Sequence, residues 1–250
     1  MAKPIYRRVI VKISGEVLAG YNSGQGGDPG GKSGDFGVQQ ATLERIAADL
    51  VATRALGVTL GVVVGGGNFI RGAGAAKKGL PRVTGDMMGM LATVMNALAL
   101  EAAIEALQVP ARTMSALAMP EICETYERRR AARHFEQGRV LLLAAGTGNP
   151  FFTTDTTAVL RAAELGAEAV LKGTDVDGIY SADPRQDPRA KRYDRLTHAE
   201  AVERDLKVMD STAFALAREN RMPIIVFSIR DKDAIRAVLR GEGRFTVVDS

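Results

Sequence analysis

Cysteine is almost absent from this sequence, and its scarcity narrows the classes of protein to consider. The single cysteine, Cys123, excludes an internal disulfide and a cysteine-built metal site, which predicts a reducing compartment such as the cytoplasm. The first ten residues lack the long apolar segment that a secretion signal carries. The most apolar helical stretch, residues 87–107, is interrupted by Asn96, Glu101 and Glu105, which favours a buried helix over a membrane span.

A strong excess of one charge is also missing. The net charge is +4 over 250 residues, and the positive side chains are spread through the chain. This balance permits anionic small molecules as ligands and does not predict nucleic-acid binding. With 46% hydrophobic and 25% charged residues, the chain has the composition of a globular protein of one large or two small domains.

Apolar runs and helical patterns alternate along the whole chain. This alternation predicts an α/β fold, a three-layer αβα sandwich with a mainly parallel central sheet. Strands are predicted at residues 8–13, 58–64, 111–119, 140–145, 169–172, 223–228 and 244–248. Helices are predicted at residues 38–56, from 87 onward, within 126–139, from 153, at 211–220 and at 232–240.

The stretch RVLLLAAGTGNPFFTTD, residues 139–155, joins a buried strand to a polar loop and a helix start. Open α/β sheets bind ligands at such places, and the unpaired amides of a helix N-terminus favour an anion. Thr153, Thr154 or Asp155 is suited to cap the helix. The alternative interpretation is a well-capped turn between strand and helix with no ligand.

Lys12 lies at the carboxyl end of the first apolar strand, just before the polar turn Ser14–Gly15–Glu16. Burying a lysine there costs free energy unless an anion is close. The hypothesis is therefore an anion site. The alternative is a lysine at the strand end whose ammonium group reaches water.

Two glycine-rich segments require separate interpretations. Residues 65–67 are three glycines between a buried strand and Arg71, an arrangement that lets the backbone approach a ligand and an arginine fork onto phosphate. The alternative is a plain turn with a solvated Arg71. Residues 26–33 match a P-loop pattern, but no buried strand precedes them and no helix follows, so that match is rejected.

Charged side chains at two further places have both a structural and a functional interpretation. Asp86 precedes the long helix and is interpreted as its N-cap, with a sugar hydroxyl as the second candidate partner. Five arginines within residues 126–139 are interpreted as a solvated helix face, with an effector-anion or nucleic-acid patch as the alternative.

Several motifs together resemble the amino acid kinase superfamily, and within it the bacterial UMP kinases. The motifs are KISGE (12–16), GGGNFIRGA (65–73), GDMMGMLATVMNALA (85–99), GTGNPFFTTD (146–155), DGIYSADP (177–184) and LKVMD (206–210). The resemblance covers nearly the whole chain. It implies a single amino acid kinase domain in which residues 1–165 hold UMP and form subunit contacts and residues 166–250 hold ATP.

The activity implied by this resemblance is transfer of the ATP γ-phosphate to UMP in pyrimidine nucleotide biosynthesis, with Mg²⁺ accompanying ATP. The implied catalytic residues are Lys12, Arg71 and Asp210, with Asp210 orienting Lys12. The implied ATP contacts are Lys12, Ile13, Ser14, Gly15, Gly67, Arg71, Thr174, Tyr180 and Asp183. The implied UMP contacts are Gly66, Arg71, Asp86 on the ribose, Thr147, Gly148, Asn149, Pro150, Phe151, Phe152, Thr153 and Thr154.

The resemblance also implies assembly and regulation. It implies a cytoplasmic homohexamer, GTP as an activator and UTP as an inhibitor, with Arg112 and Arg139 in the GTP site. The sequence departs from the family's pattern at Glu105, where some members have histidine, and at Asp175, where lysine is common. The glycine-rich segment 20–34 is also longer than usual.

Two other functions remain open from the sequence. One is a sister kinase that acts on a carboxylate or carbamate, which leaves the GTGNPFFTTD loop without a purpose. The other is a nucleotide-binding or storage protein without catalysis, which leaves Lys12 and Asp210 without a purpose.

Overall fold

A computed structural model describes residues 3–20, 36–70, 79–184, 186–204, 206 and 208–250. The strands are β1 (Arg8–Ile13), β2 (Thr59–Val64), β3 (Ala111–Ser115), β4 (Glu124–Thr125), β5 (Val140–Ala144), β6 (Ala169–Thr174), β7 (Ile179–Tyr180), β8 (Arg192–Tyr193), β9 (Arg195–Thr197), β10 (Ile224–Ser228) and β11 (Phe245–Asp249). A nine-stranded sheet has the order β4-β3-β5-β2-β1-β6-β10-β11-β9. Only the β10–β11 pair in the described part of this sheet is antiparallel, so the predicted mainly parallel sheet is confirmed.

Helices cover both faces of this sheet. They are α1 (Gly15–Leu18), α2 (Gln40–Arg54), α3 (Arg82–Ala106), α4 (Arg128–Glu136), α5 (Thr154–Leu165), α6 (His198–Glu203), α7 (Ser211–Glu219) and α8 (Ala234–Leu239). One apolar core contains residues of α2, α3 and α8, and the other contains residues of α4, α5, α6 and α7. Because successive residues of a strand point to opposite faces, Val9 and Val11 of β1 join the first core and Ile10 joins the second. The predicted three-layer sandwich is confirmed.

The bounds of several elements differ from the sequence predictions. The strand predicted to reach residue 119 ends at Ser115, and the helix predicted for 232–240 spans Ala234–Leu239. The largest difference is α3, which begins at Arg82 rather than Met87. Pro81 precedes it with φ of −54°, and proline is compatible with a helix start because it lacks the N–H that the first turn leaves unpaired. Asp86 therefore lies inside the helix, and its interpretation as an N-cap is wrong.

Helix α3 is the one described helix that is long and apolar enough to cross a membrane by length and composition. Its residues Met90, Val94, Ala97, Leu100 and Ile104 are buried in the first core. This helical spacing of buried residues confirms that α3 packs against the sheet as a core helix.

Candidate active site

The predicted site residues lie where parallel strands end. Lys12 is in β1, Gly66 and Gly67 follow β2, residues 146–154 follow β5, and Thr174 ends β6. The chain leaves β1 toward β2 on one side and later returns to place β6 on the other side. The gap between β1 and β6 is therefore the topological switch point, where open α/β sheets bind ligands.

Two lysines lie on either side of this switch point and share one carboxylate. Lys12 and Lys172 are paired residues of β1 and β6. The Lys12 Nζ lies 2.9 Å from Oδ1 of Asp155, and the Lys172 Nζ donates to Oδ2 of Asp155. Lys172 also donates to the carbonyl oxygen of Val208. Lys12 is buried, so the interpretation that its ammonium group reaches water is wrong.

The charges of this cluster are strongly coupled. Burial raises the pKa of Asp155, but the ammonium groups of Lys12 and Lys172 outweigh burial and hold its pKa at about 2. Burial and the charge of Lys12 lower the pKa of Lys172 to about 8, against the opposing attraction of Asp155. Two ammonium groups contact the one carboxylate of Asp155, and the charge of Asp210 also favours the charged form of Lys172.

Helix α5 presents Asp155 to the lysines. The hydroxyl of Thr153 accepts hydrogen bonds from the backbone N–H groups of Asp155 and Thr156, which confirms a threonine cap at this helix start. The helix ends at Gly166 with φ of 63°. Asp155 is therefore not the cap but the first-turn side chain that faces β1 and β6.

Asp210 has different contacts from those implied by the resemblance. It caps α7 by accepting from the N–H of Ala213 at 3.0 Å, and it accepts from the hydroxyls of Thr153 and Thr156. The carboxylate that contacts Lys12 is Asp155 instead. The reason is topological, because Asp155 lies on the helix that covers the β1–β6 gap, whereas Asp210 fixes the start of that helix to the start of α7.

Sequence reasoning missed Asp155 and Lys172 as members of this cluster. The signal for Lys172 was present, because it is a lysine inside a buried strand near its carboxyl end, as Lys12 is. Asp155 was assigned to a capping role that its neighbour Thr153 performs. Only the pairing of β1 with β6 brings the three side chains together.

The glycines next to Lys12 are needed because two backbone segments meet. A Cβ on Gly15 would lie 2.5 Å from the backbone nitrogen of Gly67, and one on Gly65 would lie 2.8 Å from the nitrogen of Gly15. A Cβ on Gly66 would lie 2.6 Å from the carbonyl oxygen of Gly89 in α3. The glycines therefore have a packing reason in addition to the predicted approach of a ligand.

A buried amide pair supports the same turn. Asn96 of α3 donates to the carbonyl oxygen of Gly65 at 2.7 Å and exchanges hydrogen bonds with Asn68. Asn68 also donates to the carbonyl oxygen of Gly37. Asn96 appeared in the sequence only as a break in an apolar run, and its role here is to fix the glycine turn to α3.

A pocket lies between this turn, the start of α3 and the loop after β5. Its lining residues are Gly66, Ile70, Asp86, Gly89, Met90, Thr93, Gly146, Asn149, Phe152 and Thr154. Asp86 accepts a hydrogen bond from the N–H of Phe151 at 2.9 Å, so its carboxylate joins α3 to the loop. The pocket thus contains several of the residues predicted to hold UMP.

The loop after β5 contains strained backbone at two residues. Ala145 and Phe151 have φ of 60° and 72°, values that side-chain-bearing residues rarely adopt. The hydroxyl of Thr93 accepts from the N–H of Ala145 at 2.7 Å, and Asp86 accepts from Phe151. Side chains of α3 therefore hold both strained residues in place.

Comparison with known proteins agrees with this geometry. Residues 7–228 match the amino acid kinase family. The chain belongs to the amino acid kinase family. It is 59% identical over 99% of its length to the uridylate kinase of Bradyrhizobium sp. strain BTAi1, of which it covers 99%. The UMP kinase of Ureaplasma parvum superposes with a TM-score of 0.87 at 33% identity, covering 98% of this chain and 99% of that one. The UMP kinase of Bacillus anthracis gives 0.89 at 32% identity, covering 98% and 96%.

The end of β6 and the segment that follows it contain three of the residues predicted to lie along ATP. Thr174 ends β6, Tyr180 is in the β7–β8 hairpin, and Asp183 follows it. The Tyr180 hydroxyl donates to Asp177 at 2.6 Å, and the Thr174 hydroxyl accepts from the N–H of Val176. These contacts order the segment after β6. Ile13, Ser14 and Gly15 lie at the end of neighbouring β1.

Arg71 and residues 21–34 of the glycine-rich segment, which include the P-loop-like match at 26–33, lie outside the described residues. The predicted solvated arginine face is confirmed for α4, where Arg128, Arg129, Arg130 and Arg133 are exposed. Arg139 follows that helix and contacts Nδ1 of His134 at 2.8 Å.

Acidic side chains surround Arg112, the other arginine that the resemblance implies for GTP. Its guanidinium lies 3.3 Å from Glu124 and 3.8 Å from Glu101. Glu124 also contacts Nε2 of His134 at 3.0 Å, which links Arg112 to Arg139 through two side chains. An anion at this surface would compete with carboxylates of the chain itself.

Within the described residues, no group of three His, Cys, Asp or Glu side chains is placed to hold a metal ion. Asp155, the carboxylate between the two lysines, already pairs with both.

Proposed function

We propose that this protein is an ATP-dependent UMP kinase of pyrimidine nucleotide biosynthesis that converts ATP and UMP to ADP and UDP. The observation that carries the proposal is the Lys12–Asp155–Lys172 cluster at the switch point, next to the pocket that contains Asp86. Buried ammonium groups suit the phosphates of two nucleotides, and the adjoining pocket suits a small sugar and base. The 59% identity to a uridylate kinase supports the same activity.

The two nucleotides would lie end to end along the carboxyl edge of the sheet. ATP would lie along residues 166–250, against Thr174, Tyr180 and Asp183, with its triphosphate over Ser14, Gly15 and Gly67. UMP would lie in the half formed by residues 1–165, with Asp86 on its ribose and the loop 147–154 around it. Arg71 would contact the phosphates of both.

Phosphoryl transfer to UMP requires the two nucleotides to be positioned and their negative charge to be offset, and it does not require a general base. The acceptor is a phosphate oxygen that is already ionised, so no side chain has to remove a proton from it. Lys12 and Lys172 would offset the negative charge on the transferred group, and Asp155 would hold the lysines in place. Asp210 would act indirectly, because its hydrogen bonds fix the Thr153 turn that presents Asp155 to the lysines. Mg²⁺ would arrive with ATP and offset charge on its phosphates.

Assembly and regulation are part of the same proposal. The exposed side of α3 carries an apolar stripe, Val83, Met87, Leu91 and Met95, which supports a subunit contact and a homohexamer. We place the enzyme in the cytoplasm. GTP activation and UTP inhibition follow from the family resemblance, and Arg112 and Arg139 are the residues at which to test GTP.

A coupled assay of ADP release with a panel of acceptors tests the activity. ATP turnover is expected with UMP and not with carboxylate or carbamate acceptors. Turnover with a carboxylate or carbamate but not UMP would favour the sister kinase. Nucleotide binding without release of ADP would favour a storage or binding protein.

A further inference from the structure

Arg82, the first residue of α3, contacts Asp86, which lines the pocket, and Phe151 in the loop after β5. Its Nε donates to both carboxylate oxygens of Asp86, at 2.9 Å and 2.8 Å. Its guanidinium carbon lies 5.6 Å from the centre of the Phe151 ring. Arg82 therefore contacts α3 and the loop after β5 at once.

The stability of α3 does not account for an arginine at this position. The N-terminus of a helix carries partial positive charge, so a cation in its first turn is unfavourable. A basic residue four positions before an acidic one is also the weaker orientation of such a pair. The charge of Arg82 is therefore unfavourable for the helix itself, which indicates that Arg82 has a role outside the stability of α3.

Asp86 is the group that Arg82 holds. The N–H of Phe151 donates to Oδ2 of Asp86, which already accepts from Arg82, while Oδ1 accepts from Arg82 alone within the described part of the chain. A carboxylate has about four acceptor positions, so Oδ1 retains capacity. Asp86 lines the pocket, where this capacity is available to a hydroxyl.

The conformation of Phe151 explains why Arg82 is needed in addition to Asp86 at this turn. Its ring is 64% exposed and its φ of 72° is strained. The hydrogen bond from its N–H to Asp86 and the Arg82 guanidinium over its ring are contacts that hold this turn against α3. Without the guanidinium, both the carboxylate and the turn gain freedom.

We propose that Arg82 is a positioning residue for UMP, which fixes the Asp86 carboxylate toward the ribose and holds the Phe151 turn over the pocket. This inference rests on the proposed UMP kinase activity. Arg82 acts on binding of the acceptor nucleotide and not on ATP, because its contacts lie on the α3 side of the sheet edge.

Steady-state kinetics with each substrate varied separately test this role. Arg82→Ala is expected to raise the KM for UMP by about tenfold, the typical value of one charge-assisted hydrogen bond, and to leave the KM for ATP within about twofold. Arg82→Lys keeps the charge without the planar group and should fall between wild type and Arg82→Ala. Equal changes in both KM values, or a lysine variant no better than alanine, would overturn the inference.

Arg204 provides a matched control on another helix end. It contacts Glu200 four residues earlier at 3.4 Å and lies 5.3 Å from the ring centre of Tyr193, so it makes the same kinds of contact outside the UMP pocket. Arg204→Ala is expected to leave the KM for UMP unchanged. If Arg204→Ala raised the KM for UMP as much as Arg82→Ala does, loss of any such surface contact would be enough to weaken UMP binding. That result would contradict a specific role for Arg82.

A double-mutant cycle with Asp86→Ala decides whether Arg82 acts through Asp86. In that background, Arg82→Ala should raise the KM for UMP by less than about threefold, because the group it positions is gone. The full tenfold effect in both backgrounds would overturn the inference. A wild-type protein that does not phosphorylate UMP would refute the proposed function itself, whereas an active wild type with unchanged Arg82 variants would refute this inference alone.

Discussion

Lys12 and Lys172 are paired across adjacent parallel strands, and the carboxylate of Asp155 lies between their ammonium groups. Two buried like charges repel each other, so this arrangement is stable only with a compensating anion. Asp155 supplies that anion within the folded chain, and nucleotide phosphates would supply more during catalysis.

Removal of the shared carboxylate should destabilise the fold. We expect Asp155→Ala to lower the free energy of unfolding by about 3–5 kcal/mol, because it leaves two buried ammonium groups without their counter-charge. Adding phosphate or ATP should restore part of the lost stability, which thermal melting with and without 10–20 mM phosphate, roughly a saturating amount for a weak site, would measure. Melting that matches wild type without any anion would contradict this account of the cluster.

Low pH should also reduce the stability that Asp155 contributes, because it protonates the carboxylate. The folded pKa of Asp155, about 2, lies below its ordinary value of 3.8, so its stabilising contribution is complete above about pH 4 and is lost as the pH falls toward 2. The phosphate experiment is therefore best performed near neutral pH, where Asp155 is ionised.

The lowered pKa of Lys172 leads us to expect that catalysis depends on pH. Its pKa of about 8 means that the free enzyme loses this charge in mildly alkaline solution, so kcat/KM for ATP should fall above about pH 8. The value of kcat should fall at higher pH, because bound phosphates favour the charged lysine. Rate profiles from pH 6.5 to 10 measure both. Lys172→Arg, which stays charged, should abolish the alkaline fall, and a wild-type kcat/KM that is flat to pH 10 would be inconsistent with this role.

Gly66 and Gly89 lie close together but differ in the space that a side chain at each position would have. Gly66→Ala should destabilise the protein by about 1–3 kcal/mol, because its Cβ would meet the Gly89 carbonyl oxygen at 2.6 Å and the Ala92 Cβ at 2.8 Å. Gly89→Ala, whose Cβ would meet nothing within 4 Å, should stabilise α3 by up to about 1 kcal/mol. Chemical denaturation of both variants measures the difference, and equal effects would show that close packing does not determine Gly66.

Asp49, a buried carboxylate outside the candidate active site, should make the stability of the fold depend on pH. Burial raises its pKa to about 6, against the hydrogen bond that it accepts from the N–H of Ile235. The folded pKa exceeds the ordinary value of 3.8, so the folded state binds this proton more tightly and stability is lost as the pH rises from about 4 to 6.

The test of this assignment is substitution by an uncharged side chain. Asp49→Asn should raise the free energy of unfolding at pH 7.5 by about 1–2 kcal/mol and reduce the change between pH 4 and 6. Glu44→Gln, on the exposed side of the same helix, should do neither. An Asp49→Asn variant that is less stable than wild type at pH 7.5 would refute the assignment.

The fold was predictable because local signals agreed with each other. Apolar runs such as residues 8–13 and 140–144 are long enough for a buried strand and too short for a helix, and the alternation with helices requires a parallel sheet. The predicted start of α3 was wrong because aspartate is a common N-cap residue, whereas the helix begins earlier, directly after Pro81.

The site was predictable where a single segment carries it and not where segments meet. Lys12 and the loop 146–154 contain unusual residues for their positions, so they were visible in the sequence. The Lys12–Asp155 contact joins residues 143 positions apart and depends on α5 covering the β1–β6 gap. Asp210 was assigned to Lys12 by resemblance, whereas its contacts fix the turn that presents Asp155.

Single-turnover transfer of the γ-phosphate from ATP to UMP tests the central claim most directly. The Lys12→Ala variant should fold, bind UMP with an affinity close to that of wild type by calorimetry, and form UDP at least about 10³-fold more slowly, because a preorganised charge at the transferred group is lost. Near-normal UDP formation in that variant would contradict the claim that phosphoryl transfer takes place between the buried lysines of β1 and β6.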